Sequence, residues 1–243
     1  MPDAGQVYFL PPEARELAKG DRPHLVMSLC AAHAETVTFA YGSTKGTDAA
    51  NGAAHVLVDP FRTTFRGTGL THATYFYPSR LITYPADAVF PDPAGRIIDE
   101  LPLLRKQLKR ALGFGTRVTF EGNRRGRNRR GRIAEYSADA ARELDARYCL
   151  VVTEPNYSRA DLQQTTIPLL DAGEFEEREG DVLIKDGTGW IRGLLGRRMD
   201  VIAAVPFIHT VYARSDLLGY TDTIVDEETM RQIDVAMALH FGL

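Results

Sequence analysis

The sequence predicts a mainly β (α+β) protein built as two small barrels, each closed by a C-terminal helix. Three observations carry this expectation. The stretch Gly20-Asp21-Arg22-Pro23-His24-Leu25-Val26-Met27-Ser28 returns as Asp145-Ala146-Arg147-Tyr148-Cys149-Leu150-Val151-Val152-Thr153, with its arginine 125 positions later. Short β-rich segments follow at the close spacing of a small curved sheet. Each half then ends in a segment with one apolar helical face. A repeat of this length leaves each copy more than a hundred residues, enough for a core of its own. The expected division is 1–115, a linker at 116–130, and 131–243.

The first half justifies the reading element by element. Gly5 opens a strand at 5–10, and Pro11-Pro12 stops it. Residues 11–21 form a loop, with a helical turn allowed at 13–18. Gly20 and Asp21 are turn formers. Arg22 precedes a proline and is therefore pushed toward extended backbone, and the strand 23–29 follows. Residues 30–35 are Ala/His-rich and carry no assignment. Strands are expected at 36–41 and 54–58, then at 71–77 and 80–84. Between them, 42–47 is a small-residue loop and 61–70 a Thr/Arg/Gly loop. Asp99 is placed to cap the closing helix. Leu101, Leu104, Leu108 and Leu112 share one face of it, and Gly113 suits its end.

The second half repeats the order. Gly131 to Tyr136 matches Gly5 to Leu10, and Ala141-Arg142-Glu143-Leu144 echoes Ala14-Arg15-Glu16-Leu17. Strands are expected at 131–136, 148–153, 163–170, 182–185 and 200–212. A loop at 186–198 surrounds Trp190. Asp226 caps a last helix with Met230, Ile233, Met237 and Phe241 on its apolar stripe.

Composition bounds the function classes. The chain is 44% hydrophobic and 25% charged, as in globular proteins. No apolar run approaches the ~20 residues of a membrane span. The start, Met1-Pro2-Asp3-Ala4-Gly5, lacks the basic and apolar regions of a signal peptide, so a cytoplasmic setting is expected. Cys30 and Cys149 read as buried thiols, and no Cys/His spacing suggests zinc. No metal or other cofactor is expected. The net charge of −3 hides a strong asymmetry: +1 over 1–115, +6 over 116–132 and −10 over 133–243. A polyanion is therefore drawn to the junction and repelled by most of the second half. The junction carries Arg124, Arg125, Arg127, Arg129 and Arg130 among glycines, a composition that suits phosphate backbones and base stacking. The same residues also suit a solvated tether docked on the acidic half.

The order Gly-x-Val-Tyr, loop, Gly-x-Arg-Pro-x-Leu-Val, and a strand ending in small hydroxyl residues resembles the MazF/PemK family of toxin endoribonucleases. Cys149 to Arg159 and Phe207-Ile208-His209-Thr210-Val211-Tyr212 resemble the family's strands in the second half. The resemblance implies SH3-like barrels, here fused and docked as a pseudo-dimer within one chain, with a further homodimer left open. It also implies cleavage of single-stranded RNA without a metal, and an antitoxin protein as partner. Arg22 matches the loop arginine, whose permanent forked charge suits a phosphate; a salt bridge to Asp21 or another carboxylate is the alternative. Ser43 or Thr44 falls where the family has a hydroxyl, though a polar turn explains both. Arg22, Ser43 and Thr44 are thus the candidate catalytic residues. Tyr41, His72, Arg80, Arg147 and the linker residues Arg124, Arg125 and Arg127 are candidate RNA contacts. The acid and base of the family have no clear counterpart, and Leu170 or Asp171 replaces the hydroxyl in the second half. The other reading is an inactive module of the same type that binds RNA, an antitoxin or another protein.

Overall fold

The computed structural model describes residues 2–11, 20–28, 35–50, 53–114, 130–153, 163–185 and 200–243. Short apolar segments build a first antiparallel sheet. Its strands are β1 (Gln6–Leu10), β2 (Arg22–Val26), β3 (Thr36–Ser43), β4 (Val56–Val58), β5 (Thr74–Pro85) and β6 (Gly95–Arg96). They lie in the order β4-β5-β3-β2-β1-β6. The second sheet holds β7 (Arg132–Tyr136), β8 (Tyr148–Val151), β9 (Gln163–Asp171), β10 (Val182–Ile184), β11 (Val201–Ala203), β12 (His209–Tyr212) and β13 (Leu217–Ile224). Its order is β10-β11-β9-β8-β7-β13, with β12 also on β9. Strand for strand, the two orders are the same. Helices α1 (Thr47–Ala50), α2 (Leu101–Ala111), α3 (Ala138–Glu143) and α4 (Glu227–Phe241) complete the described elements.

The two halves also share hydrogen bonds. Gly5 and Gly131 take φ of 87° and 80°, a left-handed conformation that glycine adopts without strain. Gly5 donates to Val26 and accepts from Ile97; Gly131 donates to Val151 and accepts from Val225. Met27 N–H reaches Thr38 as Val152 N–H reaches Thr165. One face of each sheet feeds the largest buried apolar cluster. Val7, Leu25, Phe76, Leu104 and Leu108 from the first half belong to it, as do Ile133, Leu150, Ile167, Ile233 and Met237 from the second.

The helices behave as their sequences suggest at their apolar faces. Leu104, Leu108 and Leu112 are fully buried, as are Ile233, Met237 and Phe241. Asp226 caps α4, its Oδ1 accepting from Thr229 N–H at 2.7 Å. Asp99 does not cap α2. Glu100 stands at that N-cap without a side-chain bond. Asp99 Oδ2 instead accepts the N–H groups of Thr64 and Phe65, at 2.9 and 3.0 Å. The expected strands 71–77 and 80–84 are one strand, β5, which begins only at Thr74 and leaves His72 outside it. The register jumps from Tyr41↔Tyr77 to Ala40↔Leu81, so Pro78 sits in a bulge where its missing N–H costs no ladder bond. Conversely, the expected strand 200–212 is two, broken by a 3-10 turn at Val205–Phe207 that contains Pro206. The short elements α1, α3, β6 and β13 had no expectation attached. Trp190 and its loop, Cys30, and most of the Arg/Gly linker lie outside the described residues. Arg130, at the linker's end, is buried: its Nε donates to Leu112 O at 2.8 Å and it pairs with Asp234 of α4.

The halves meet where β5 runs past the end of β4. Leu81 N–H donates to Thr210 Oγ1 at 2.8 Å, and Thr83 Oγ1 donates to Ile208 O. Thr83 N–H donates to His209 Nδ1 at 3.2 Å, and Thr36 Oγ1 to Pro206 O at 2.6 Å. Side chains thus satisfy the open edge of β5 in place of another strand.

Candidate functional site

Gly20, with φ of 88°, turns the chain into β2 and leaves Arg22 at its first position. His24, two residues on, lies on the same face. Its Nδ1 is 2.9 Å from the Arg22 carbonyl. A carbonyl only accepts, so Nδ1 carries the proton. Burial pushes the His24 imidazole down to about 4; the nearby Arg80 charge adds to this, and the Arg22 hydrogen bond opposes it. His24 is therefore a neutral clamp on the Arg22 backbone at neutral pH. Arg22 is half-buried. Its Nε is shut off from water and has no hydrogen-bond partner among the described residues. A stranded donor of this kind is costly unless a ligand accepts from it.

β3 delivers the hydroxyl residues beside it. His24 pairs with Tyr41, and the same register carried two residues further sets Arg22 beside Ser43. Gly42 makes the approach feasible. A Cβ there would stand 2.5 Å from the Pro23 carbonyl and 2.8 Å from the Phe76 ring. Ser43 is half-buried and its Oγ accepts from Lys45 N–H at 3.1 Å. Thr44 and Lys45 are exposed.

The same face continues across β5 and β4. Ser43 pairs with Tyr75, and Tyr75 with Leu57. A parallel row runs from His24 through Tyr41 to Tyr77, whose hydroxyl donates to Lys45 O at 3.2 Å. The His55 ring lies 5.7 Å from Tyr75 and 6.4 Å from Tyr77. Its Nδ1 is 2.8 Å from Ala53 O, which fixes the proton there and leaves Nε2 as the acceptor when the ring is neutral.

The remaining expected contacts fall in different surroundings. The β5 bulge puts the Arg80 guanidinium 3.8 Å over the Tyr41 ring, and its Nη2 donates to Tyr212 OH at 3.1 Å, across the junction. Tyr41 is buried beneath it. His72 stands in an exposed turn, with Nδ1 2.9 Å from Thr71 Oγ1. Arg147 is exposed and pairs with Glu135 at 2.9 Å, with its guanidinium 5.1 Å from the Tyr148 ring. Arg124, Arg125 and Arg127 lie outside the described residues.

The structure thus brings Arg22, Ser43 and Tyr41 onto one face, with Arg80 stacked over Tyr41 and Thr44 at the rim. His24, His55, Tyr75 and Tyr77 were not singled out from sequence. The period-2 spacing of Tyr75 and Tyr77 was the available signal. Among the described residues, no three His, Cys, Asp or Glu side chains are grouped to hold a metal. No helix among them is long and apolar enough to cross a membrane.

No family model and no curated protein matches the chain. Among solved structures, the chain is similar to an endoribonuclease in complex with its cognate antitoxin from a mycobacterial species. The identity is 23%, over 48% of this chain and 97% of that one, with a TM-score of 0.33. It is also similar to the Mycobacterium tuberculosis toxin MazF-mt6, at 18% identity over 46% of this chain and 99% of that one, with a TM-score of 0.34.

Proposed function

We propose that this chain is a fused pair of MazF/PemK-like units, spanning 1–115 and 131–243, that cuts single-stranded RNA at a site in the first unit. One observation carries the reading: a half-buried arginine with a stranded Nε donor, set beside the Ser43–Thr44 hydroxyls on a face lined with tyrosines. The chemistry needs little more. The 2′-hydroxyl gives up its proton to solvent as its oxygen bonds to the adjacent phosphorus, the P–O5′ bond breaks, and the departing 5′-oxygen takes a proton from solvent, leaving a 2′,3′-cyclic phosphate. Arg22 stabilises the charge that builds on the phosphorane, and Ser43 or Thr44 holds a non-bridging oxygen. His24 fixes the Arg22 backbone and, sealed from water, does not itself exchange the proton.

The pseudo-dimer rests on reciprocal contacts. Thr83 pairs with Thr38 in the first sheet as Thr210 pairs with Thr165 in the second, so positions 83 and 81 match 210 and 208. Thr83 bonds to Ile208, and Thr210 bonds to Leu81. Reciprocal pairs of this kind mark an isologous, two-fold contact. Arg124, Arg125 and Arg127 would add phosphate contacts at the junction. An antitoxin would serve as the regulating partner.

A long single-stranded RNA incubated with the protein in EDTA tests the reading. The expected outcome is discrete fragments, with Arg22→Ala slowing cleavage by roughly a hundredfold or more. The second reading, a binding module, draws on His24, the imidazole nearest Arg22, being sealed and held at about 4. Salt-sensitive RNA binding without cleavage over a broad panel would establish it instead.

A further inference from the structure

Leu57, Tyr75, Ser43 and Arg22 fall on one row across four strands, by the registers Leu57↔Tyr75 and Tyr75↔Ser43 and by the His24↔Tyr41 register carried two residues further. At strand spacings of ~4.8 Å, its ends stand roughly 14 Å apart along the sheet. The two ends differ in chemistry. One offers a guanidinium with a stranded donor and two hydroxyls. The other is apolar and flat: Leu57 is 45% exposed on the edge strand, beside the half-exposed Tyr75 and His55 rings. Tyr75 is closely packed on two sides. Gly46 lies so close to it that a Cβ there would stand 2.9 Å from the ring, and His55 packs at 5.7 Å. His55 is oriented by Ala53, so its Nε2 is available to accept a hydrogen bond.

We propose that Leu57, Tyr75 and His55 form a nucleobase platform that seats an unpaired base of the RNA whose phosphate meets Arg22. This deepens the endoribonuclease reading and rests on it. A single-stranded polynucleotide carries both an anion and a flat, weakly polar ring at such a separation, and unstacked bases are recognised by stacking together with edge hydrogen bonds. Leu57 and the imidazole provide the contact surface. His55 Nε2 accepts from an exocyclic amine or ring N–H, which gives the platform a preference among bases.

Fluorescence anisotropy of the full chain with hexamers of 2′-O-methyl A, C, G or U tests this without cleavage, since no free 2′-hydroxyl is present. For the best-bound hexamer, Leu57→Ser and His55→Gln are each expected to weaken binding roughly fivefold or more. The slope of log affinity against log salt should not change, because neither removes a phosphate contact. Arg22→Ala is expected to flatten that slope by about 0.7. Leu57→Phe, which enlarges the exposed surface on a strand that favours aromatics, is expected to tighten binding and does not depend on a damaged fold. Failure of the unaltered chain to bind any hexamer at low salt would overturn the RNA reading and the platform together. Binding that L57S, H55Q and L57F all leave unchanged, with R22A still flattening the slope, would overturn the platform alone.

Discussion

Arg22 and Arg147 occupy matching places in two sheets of the same strand order, yet their surroundings diverge. Arg147 is taken by Glu135. The first sheet has Phe9 at that point of β1, and Phe9 offers no charge. Across the sheet the difference continues. The register that gives His24↔Tyr41 and Ser43↔Tyr75 gives Cys149↔Pro168 and Leu170↔Ile202 in the second sheet. Cys149, Leu170, Ile202 and Ala204 join Tyr136 in a buried cluster there. The same backbone supports a polar, half-open face in one half and a filled apolar one in the other. The scaffold does not dictate a site; the side chains at one face of three strands do.

The largest expected effect tests that contrast directly. In the RNA cleavage assay, Arg22→Ala should lose activity by roughly a hundredfold or more, while Arg147→Ala stays within about twofold. Equal losses would break the contrast and put a working site in each half.

The pair His24 and Cys149 sharpens it. Burial holds His24 and His240 near 4. It pushes the Cys149 thiol up to about 12, so Cys149 stays neutral throughout the acid range. The ordinary histidine value is about 6.5, so the unfolded chain takes up the proton first on acidification. Each imidazole therefore contributes stability that is whole above about pH 6.5 and is lost as pH falls toward 4. The slope is about 1.4 kcal/mol per pH unit per group, up to roughly 3 kcal/mol in all for His24. Urea titrations between pH 7 and 4 measure this. His24→Cys gives the first sheet the residue of the second, and should remove about one group's worth of slope between pH 6 and 4.5. An unchanged slope would show that His24 is not held neutral in the folded chain.

Much of the scaffold was legible because it is written locally. Glycines at 5 and 131, the Arg-Pro turn, and the leucine and methionine stripes each specify an element by short-range physics. What stayed hidden depends on partners distant in sequence. Asp99 looks like a cap until the loop at 61–65 offers two N–H groups to it. Pro78 looks like a strand break until β3 supplies the register in which it bulges. Arg130 reads as one of a solvated run, but Asp234 lies 104 positions away. At the candidate site, the motif singles out Arg22 and the hydroxyls by sequence alone. It does not single out the tyrosine and histidine rows, because only the pairing of four strands places them on one face.

The smallest expected effect concerns the contact that relates the halves. Thr83 and Thr210 stand at matching positions, and each bonds a backbone group of a fully buried residue in the other half, Ile208 or Leu81. If the contact is two-fold in character, Thr83→Val and Thr210→Val should both destabilise, since each strands a buried backbone group at a cost of ~1–3 kcal/mol. They should not be equal. Thr83 donates to Ile208 and so must accept from Thr38, 2.9 Å away. Thr38 in turn accepts from His240 Nε2 at 3.0 Å. Removing the Thr83 hydroxyl leaves Thr38 without its acceptor. Thr210 is 3.2 Å from Thr165, which donates onward to Ser79 O, so Thr165 loses only an incoming bond when Thr210 is replaced. Chemical denaturation should therefore give about 2 kcal/mol for T83V and about 1 kcal/mol for T210V. A cost confined to T83V would mean that the His240 chain, rather than a reciprocal junction, holds this edge together.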